Sequence, residues 1–196
     1  MTGRIDLSVT ATGKRSEEIA TLHAQIVACR TCETAGLVPA ARPIRHAWAP
    51  RQRTMIVGQA PGAQTEAKRF HFAGPGGILL GRWLVAAGYD PDRWRDDCYI
   101  TSLTRCFPGK APNGKGDRRP SPAELARCRP FLESELRLVQ PRIVLAVGTM
   151  AEVDGRAILP LPHPSGVSRW LNDPAHQRLV ERSIELLAQA RIDLEL

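Results

Sequence analysis

The stretch Arg53-Thr-Met-Ile-Val-Gly-Gln-Ala-Pro-Gly62 carries the strongest signal for the fold. Its apolar run, Met55 to Val57, stops abruptly at Gly58, which is typical of a buried strand that runs into a tight turn. The glycines let the backbone approach a ligand closely, and Pro61 restricts the shape of the turn. In an open α/β sheet, ligands bind at such turns, outside the carboxyl ends of the strands. The turn is therefore a candidate binding site, although a plain strand-to-loop corner has the same pattern.

Apolar runs of strand length alternate with amphipathic segments along the rest of the chain. Strands are predicted at residues 54–58, 98–103, 142–148 and 158–161. Helices are predicted at residues 16–28, at 78–87, from 121 onward with a kink or break at Pro130, and at 173–190. This order predicts a three-layer α/β/α sandwich with a central, mostly parallel four-stranded sheet. Residues 1–14 are expected to form a flexible N-terminal tail, and 15–196 a single domain.

The connection between the third and fourth strands is unusually short. Only nine residues, 149–157, separate the two strands, whereas a parallel crossover normally needs about a dozen or more. Either these strands are joined in an unusual way, or part of the connection is missing from the chain.

The chain is basic, with a net charge of +7 and a pI of about 9.6 over 196 residues. This charge favours a polyanionic partner, nucleic acid above all, although a basic surface can also serve solubility. The sequence has no apolar run long enough to span a membrane and no secretory signal at its start. We therefore expect a cytoplasmic protein with no membrane partner.

Five cysteines are present, an odd number that includes a Cys-x-x-Cys pair. Without an export signal, this pattern argues against a disulfide framework. Cys29, Cys32, Cys106 and Cys128 could together hold a structural zinc ion or an iron–sulfur cluster, or could remain free thiols. Cys98 lies within a predicted strand and is expected to pack in the core.

A second candidate loop, Leu161-Pro-His-Pro-Ser-Gly166, follows the last strand. If the strands are parallel, this loop and the Gly58–Gly62 turn lie at the same edge of the sheet. His163 is held stiffly between two prolines, which suits a proton or hydrogen-bond donor. A solvent-facing loop histidine is the alternative.

Together these motifs resemble the family-4 uracil-DNA glycosylases over most of the chain, from about Ala28 to about Leu187. The resemblance rests on Gly58-Gln-Ala-Pro-Gly62, Phe70-His-Phe-Ala-Gly-Pro-Gly-Gly77, Tyr99-Ile-Thr-Ser-Leu-Thr-Arg-Cys-Phe-Pro108, Pro120-Ser-Pro-Ala-Glu-Leu-Ala-Arg-Cys128 and His163-Pro-Ser165. It implies a monomeric, nucleoid-associated DNA repair enzyme that flips uracil out of DNA and excises it. It also implies a structural 4Fe–4S cluster on Cys29, Cys32, Cys106 and Cys128.

The resemblance also implies roles for individual residues of the two loops. His163 would donate to uracil O2 as the base leaves with its negative charge, and Gln59 would share this task. Phe72 would stack on the flipped base, whereas Phe70 is expected to be ordinary packing. The implied substrate-binding set is Gly58, Ala60, Gly62, Phe72 and Ser102.

Three departures from the family pattern bear on activity. Gln59 stands where the family usually has Glu, so the turn has no carboxylate to orient the attacking water. Ser102 replaces the uracil-reading Asn, which favours a relaxed base range such as that of some family-5 relatives. The long loop 109–120 has no His of the kind that some relatives use to trap the sugar, so turnover is expected. A non-catalytic DNA-binding relative is the remaining alternative.

Contacts with DNA are expected from two segments. In the loop after the last strand, the implied contacts are Ser165, Val167, Ser168 and Arg169. In the long loop they are Lys115, Arg118 and Arg119. Trp170 is either a wedge between bases or an anchor under its loop.

Overall fold

The computed structural model describes residues 7–148, 158–164 and 169–196. Its centre is one sheet of four strands: β1 (Thr54–Gly58), β2 (Cys98–Ser102), β3 (Ile143–Val147) and β4 (Ile158–Leu161). The spatial order is β2-β1-β3-β4, and all three pairings are parallel. The predicted strands are therefore confirmed to within one residue at each end, and the sheet is parallel throughout.

Helices precede, separate and follow the strands. They are α1 (Leu7–Ala28), α2 (Thr31–Thr34), α3 (Ala63–Lys68), α4 (Pro75–Ala86), α5 (Trp94–Asp97), α6 (Pro122–Val139) and α7 (Pro174–Asp193), with a 3-10 turn at Arg169–Asn172. Asp173 caps α7 by accepting from the Ala175 N–H, as the Asp-Pro start predicts.

The sheet is apolar on both faces because successive strand residues point to opposite sides. In β1, Ile56 joins the core cluster that also contains residues of α4, α5 and α7. Its neighbours Met55 and Val57 join the other cluster, with residues of α1 and α6. Helices thus cover both faces, which confirms the predicted three-layer α/β/α arrangement.

Two details of the predicted helices are wrong. Helix α1 begins at Leu7, not at Ser16, so residues 7–14 are helical. The apolar spacing starts only at Ile19, and it marks the part of a helix that packs on the core rather than the point where the helix begins. The structure also contains a helix that was not among those predicted, α3 at Ala63–Lys68.

Pro130 lies inside α6 without dividing it, so of the two predicted outcomes, a kink or a break, the break does not occur. Proline removes one intrahelical hydrogen bond, and α6 keeps the rest of its length. The predicted start of this helix is confirmed: Ser121 Oγ accepts from the Glu124 N–H, and the Glu124 carboxylate accepts from the Ser121 N–H.

The short connection at 149–157 lies outside the described residues. Among the residues that are described, no helix is long and apolar enough to cross a membrane.

Candidate active site at the carboxyl edge of the sheet

The first predicted loop begins where β1 and β2 end side by side. Gly58 is in register with Ser102, and its carbonyl accepts from the Leu103 N–H at 2.9 Å. The next carbonyl, that of Gln59, accepts from the Thr104 N–H at 3.4 Å. These bonds hold the Gly58–Gly62 turn against the chain that leaves β2. Gln59 and Ala60 are partly exposed there.

Phe72 lies directly over this turn. A methyl group on Gly58 would stand only 3.3 Å from Phe72 Cζ, so glycine allows the aromatic ring to approach the strand end. Phe72 also has a φ of +53°, a left-handed conformation that is strained for a bulky residue. The structure thus brings together Gly58, Phe72 and Ser102, three of the predicted base-binding residues.

Arg95 holds Phe72 in this conformation. Its guanidinium donates to the His71 carbonyl at 2.8 Å and to the Phe72 carbonyl at 2.9 Å. Gly77 packs against the same Phe72 carbonyl so closely that a methyl group there would overlap it. Sequence reasoning missed Arg95, since nothing in its local pattern indicates a partner more than twenty residues away.

His163 reaches the same edge from the far side of β3. A methyl group on Gly148 would lie 3.7 Å from His163 Cδ2, so the imidazole packs beside the end of β3. The next residue, Pro164, lies against Gly76, where a methyl group would be 3.3 Å from the Pro164 carbonyl oxygen. The His163 loop therefore adjoins the glycine-rich segment that follows Phe72.

The surroundings of His163 favour its neutral form. Desolvation by the surrounding protein and then the positive charge of Arg119 lower the pKa of His163. The side chain is nevertheless exposed to solvent, so only part of the imidazole is desolvated. A neutral imidazole keeps one N–H donor, which suits a hydrogen bond to an oxygen that becomes negative.

The hydroxyl group of Ser102, at the end of β2, already donates its proton within the protein. The residue is buried, and its Oγ donates to the Thr104 carbonyl at 2.7 Å. Because that bond uses its only proton, Ser102 Oγ in this arrangement can act toward a ligand only as an acceptor.

Behind Ser102 lies a buried ion pair. The Arg105 guanidinium donates to the Ser102 carbonyl and to Glu135 Oε2, the latter at 2.6 Å, and both charged side chains are only 2% exposed. Burial raises the pKa of Glu135, while Arg105, Thr101 and Tyr99 offset this effect by donating to its two oxygens. Through Arg105, this ion pair links the end of β2 to Glu135 of α6.

The long loop 109–120 contributes a residue that the sequence did not indicate. Asp117 Oδ2 accepts from the Ala63 N–H at 3.0 Å, immediately after the Gly58–Gly62 turn. Its other oxygen accepts from Lys110 Nζ at 2.8 Å. A carboxylate therefore does adjoin the turn, although it comes from a different segment of the chain.

Of the three basic residues predicted to contact DNA from this loop, Arg118 is already engaged within the protein. It donates to both oxygens of Glu124, at 2.7 and 2.8 Å, and to the Leu37 carbonyl. These contacts favour a structural role for Arg118. Lys115 and Arg119 are exposed, and their role in DNA binding stays a prediction.

The other predicted DNA contacts are only partly visible. Ser165, Val167 and Ser168 lie outside the described residues, and Arg169 begins the 3-10 turn. Trp170 stacks on His176 with ring centroids 4.0 Å apart, and His176 Nδ1 lies 2.9 Å from the Trp170 carbonyl. These contacts favour the anchor over the wedge.

The four predicted ligand cysteines are free thiols, and Cys32, Cys106 and Cys128 each lie near enough to other members of the set to be affected by their charge. Burial raises the pKa of Cys32 to about 11 and of Cys106 to about 12, and the neighbouring thiols of the set raise both further. Burial also raises the pKa of Cys128. In the described part of the chain, no three His, Cys, Asp or Glu side chains form a group that could hold a metal ion. Cys98 is buried in the core, as predicted.

Comparison with known proteins points to one family. A type-4 uracil-DNA glycosylase of Archaeoglobus fulgidus is 33% identical over 97 residues, which are 50% of this chain and 44% of the relative. A type-4 enzyme of Thermotoga maritima is 32% identical over 109 residues, covering 54% of this chain and 52% of the relative. A type-5 uracil-DNA glycosylase of Pyrobaculum aerophilum is 32% identical over 110 residues, or 50% and 46%. The chain spans about half the length of these curated relatives.

The match to a family model is longer than any of these three alignments. The model of the uracil DNA glycosylase superfamily matches residues 46–187, which include both loops of the candidate site and the whole sheet. Since this match covers well over half of the chain, the protein belongs to the uracil DNA glycosylase superfamily.

Proposed function

We propose that this protein is a DNA glycosylase that removes uracil from DNA and leaves an abasic site. The observation that carries the proposal is the position of Phe72 against Gly58, whose partner on the neighbouring strand is Ser102, with the His163 loop packed against the segment that follows Phe72. An aromatic face, a glycine at the end of a strand and a neutral donor are the parts that a flipped base requires. The net charge of +7 suits DNA as the partner.

In the proposed mechanism, the protein stabilises the departing base. As the bond between C1′ and uracil N1 breaks, its electron pair moves to the base and the sugar becomes cationic. The neutral His163 imidazole donates its N–H to uracil O2, where negative charge develops, and backbone N–H groups of the Gln59 turn assist. Phe72 holds the base flat in the pocket, because Arg95 and Gly77 fix the conformation of the Phe72 backbone.

A broader base range is the second candidate, and Ser102 favours it. Asn offers both a donor and an acceptor to the edge of uracil, whereas the Ser102 proton is already given to the Thr104 carbonyl. Losing one such hydrogen bond reduces the binding preference for uracil over other bases by about 1–3 kcal/mol. We therefore expect hypoxanthine or xanthine to be excised at a measurable rate relative to uracil.

The experiment is a strand-cleavage assay. Oligonucleotides that carry uracil, hypoxanthine, xanthine or thymine, single- and double-stranded, are incubated with the protein and then cleaved by alkali at abasic sites. We expect product from uracil, and a loss of about 100- to 1,000-fold in the rate for His163→Ala, typical for one oxyanion donor. No product with any of these substrates would instead indicate a non-catalytic DNA-binding protein.

The cofactor that we propose is a structural 4Fe–4S cluster on Cys29, Cys32, Cys106 and Cys128. The donor set fits in its chemistry: the four thiols come from α2, α6 and the segments that follow α1 and β2, none forms a disulfide, and Cys106 lies near enough to the other three to be affected by their charge. The tetrahedral thiolate ligands of a single metal ion lie only about 3.8 Å apart. Thiols too far apart to hold one ion can still fit the wider 4Fe–4S cluster. When bound, it would cross-link these elements. Cysteines with raised pKa values must lose their protons to bind it, so assembly releases protons.

Iron analysis and absorbance near 400 nm, roughly where iron–sulfur proteins absorb, test this assignment. Cys106→Ser should abolish the absorbance, whereas Cys98→Ala, which removes the fifth cysteine from the core, should retain it. A colourless protein that contains zinc would contradict the assignment. We also propose that the protein is monomeric and acts in the cytoplasm at the nucleoid, which size-exclusion chromatography and microscopy of a tagged protein would check.

A further inference from the structure

The Gly58–Gly62 turn lacks a carboxylate of its own, but the fold brings one to it from the loop 109–120. A methyl group on Gly62 would lie 3.0 Å from Asp117 Oδ2, and the same oxygen accepts from the Ala63 N–H at 3.0 Å. Asp117 is 54 positions from Ala63 along the chain, so no local motif predicts this contact. The carboxylate is therefore beside the turn whose Gln59 takes the place of an acidic residue.

The position of Asp117 is held from three directions. Lys110 Nζ donates to its second oxygen, and the backbones of Lys110 and Asp117 form an isolated antiparallel bridge. On its other side, Arg118 ties the loop to Glu124 and to the Leu37 carbonyl. A carboxylate held in this way keeps its orientation when a substrate arrives, which is what a catalytic group requires.

Asp117 is also accessible to solvent. Its side chain is 33% exposed, and each of its oxygens retains a lone pair beyond the single bond described above. Arg119, two residues further along, is near enough to His163 to affect it electrostatically. The segment 117–119 therefore approaches both motif loops, with Asp117 at the Ala63 N–H and Arg119 near His163.

We propose that Asp117 is the catalytic carboxylate of this protein, supplied by the long loop in place of an acidic residue in the turn. The inference rests on the proposed glycosylase function. Asp117 accepts a proton from the attacking water as the water oxygen forms its bond to C1′. The C1′–N1 bond breaks at the same centre, and its electron pair leaves on the base. Asp117 then passes the proton to solvent, and the uracil anion takes one from solvent.

Two competing roles for nearby carboxylates define the test. Asp117 could simply anchor the loop, in which case its charge is unimportant and only its acceptor oxygen at the Ala63 N–H matters. Alternatively, Glu66, in the first turn of α3, could supply the carboxylate. Asp117→Asn separates the first role from catalysis, because Asn keeps an acceptor oxygen but has no charge. Glu66→Gln tests the second.

The experiment measures single-turnover excision of uracil by the intact protein with its cluster. The variants are Asp117→Asn, Asp117→Ala, Glu66→Gln and the double variant Asp117→Asn with Gln59→Glu. Binding to an oligonucleotide with a tetrahydrofuran abasic analogue and the melting temperature are measured in parallel. Since positioned acid–base groups contribute about 10²–10⁴-fold, we expect Asp117→Asn and Asp117→Ala each to lose at least about 100-fold in rate. Binding and melting temperature should change little in Asp117→Asn.

The outcomes distinguish the roles. Recovery of about tenfold or more when Gln59→Glu is added to Asp117→Asn supports the proposal, because a loop anchor cannot be replaced by a carboxylate in the turn. Full activity in Asp117→Asn, or a large loss in Glu66→Gln alone, overturns it. A wild-type protein that excises no base contradicts the proposed function itself, and the proposal for Asp117 fails with it. The wild-type rate therefore tells the two failures apart.

Discussion

Replacement of Gly77 by Ala tests whether the conformation of Phe72 governs activity. The new methyl group would lie 2.8 Å from the carbonyl carbon of Phe72 and closer still to its oxygen. A Cβ atom essentially never approaches a heavy atom outside its own residue and chain neighbours within 3.0 Å. The Phe72 backbone must therefore move by about 1 Å, and a misplacement of this size can cost about 100-fold in rate.

Stability is expected to respond differently from activity. Gly77 lies in the first turn of α4, where Ala is intrinsically better than Gly by up to about 1 kcal/mol. This gain opposes the cost of the displaced loop, so the melting temperature should change far less than the rate. Reduced activity in a folded protein would then be attributable to the position of Phe72.

The assay is single-turnover excision of uracil from a single-stranded oligonucleotide, which needs no flipping from a duplex. Gly74→Ala is the matched control, because a methyl group there meets only the Gln64 side chain, at 3.4 Å, an ordinary contact. We expect Gly74→Ala to stay within about threefold of the wild type, and Gly77→Ala to lose about 100-fold. A Gly77→Ala protein with a rate within threefold of the wild type would refute the argument.

Three further predictions follow from charge and burial. The rate should stay level from pH 7 to 9, because the lowered pKa of His163 leaves a neutral donor throughout; a tenfold fall per pH unit would indicate an imidazolium donor instead. Glu135→Gln should lower the free energy of unfolding by about 3–5 kcal/mol in urea denaturation, because Arg105 is left as a buried, unpaired charge. The control is Glu133→Gln at an exposed position, which should change the free energy of unfolding by less than about 1 kcal/mol. Burial lowers the pKa of His71 to about 3, so between about pH 3 and 6.5 the unfolded chain binds a proton that the folded chain does not. The free energy of unfolding should therefore rise with pH across this window, by up to about 1.4 kcal/mol per pH unit. His71→Asn should reduce that slope.

Much of the fold was predictable because its signals are local. The run Met55–Val57, ended by Gly58, predicts β1 without reference to the rest of the chain, and the Ser121–Glu124 capping box predicts the start of α6. Parallel strands then require that the Gly58–Gly62 turn and His163 share an edge. Helix α1 is the exception, because the apolar spacing that starts at Ile19 indicates packing and not where the helix begins.

The composition of the site, in contrast, depends on contacts between distant segments. Gln59 and Ser102 are visible in the sequence as departures from a motif, but their consequences are not. Only the packed structure shows that the Ser102 proton is used by Thr104, and that Asp117 reaches the turn that lacks a carboxylate. Local pattern determined the strands, turns and caps, because each arises from the conformational preferences of a few successive residues. Tertiary structure decided which charges meet at the carboxyl edge, because such contacts form only when the chain folds back on itself.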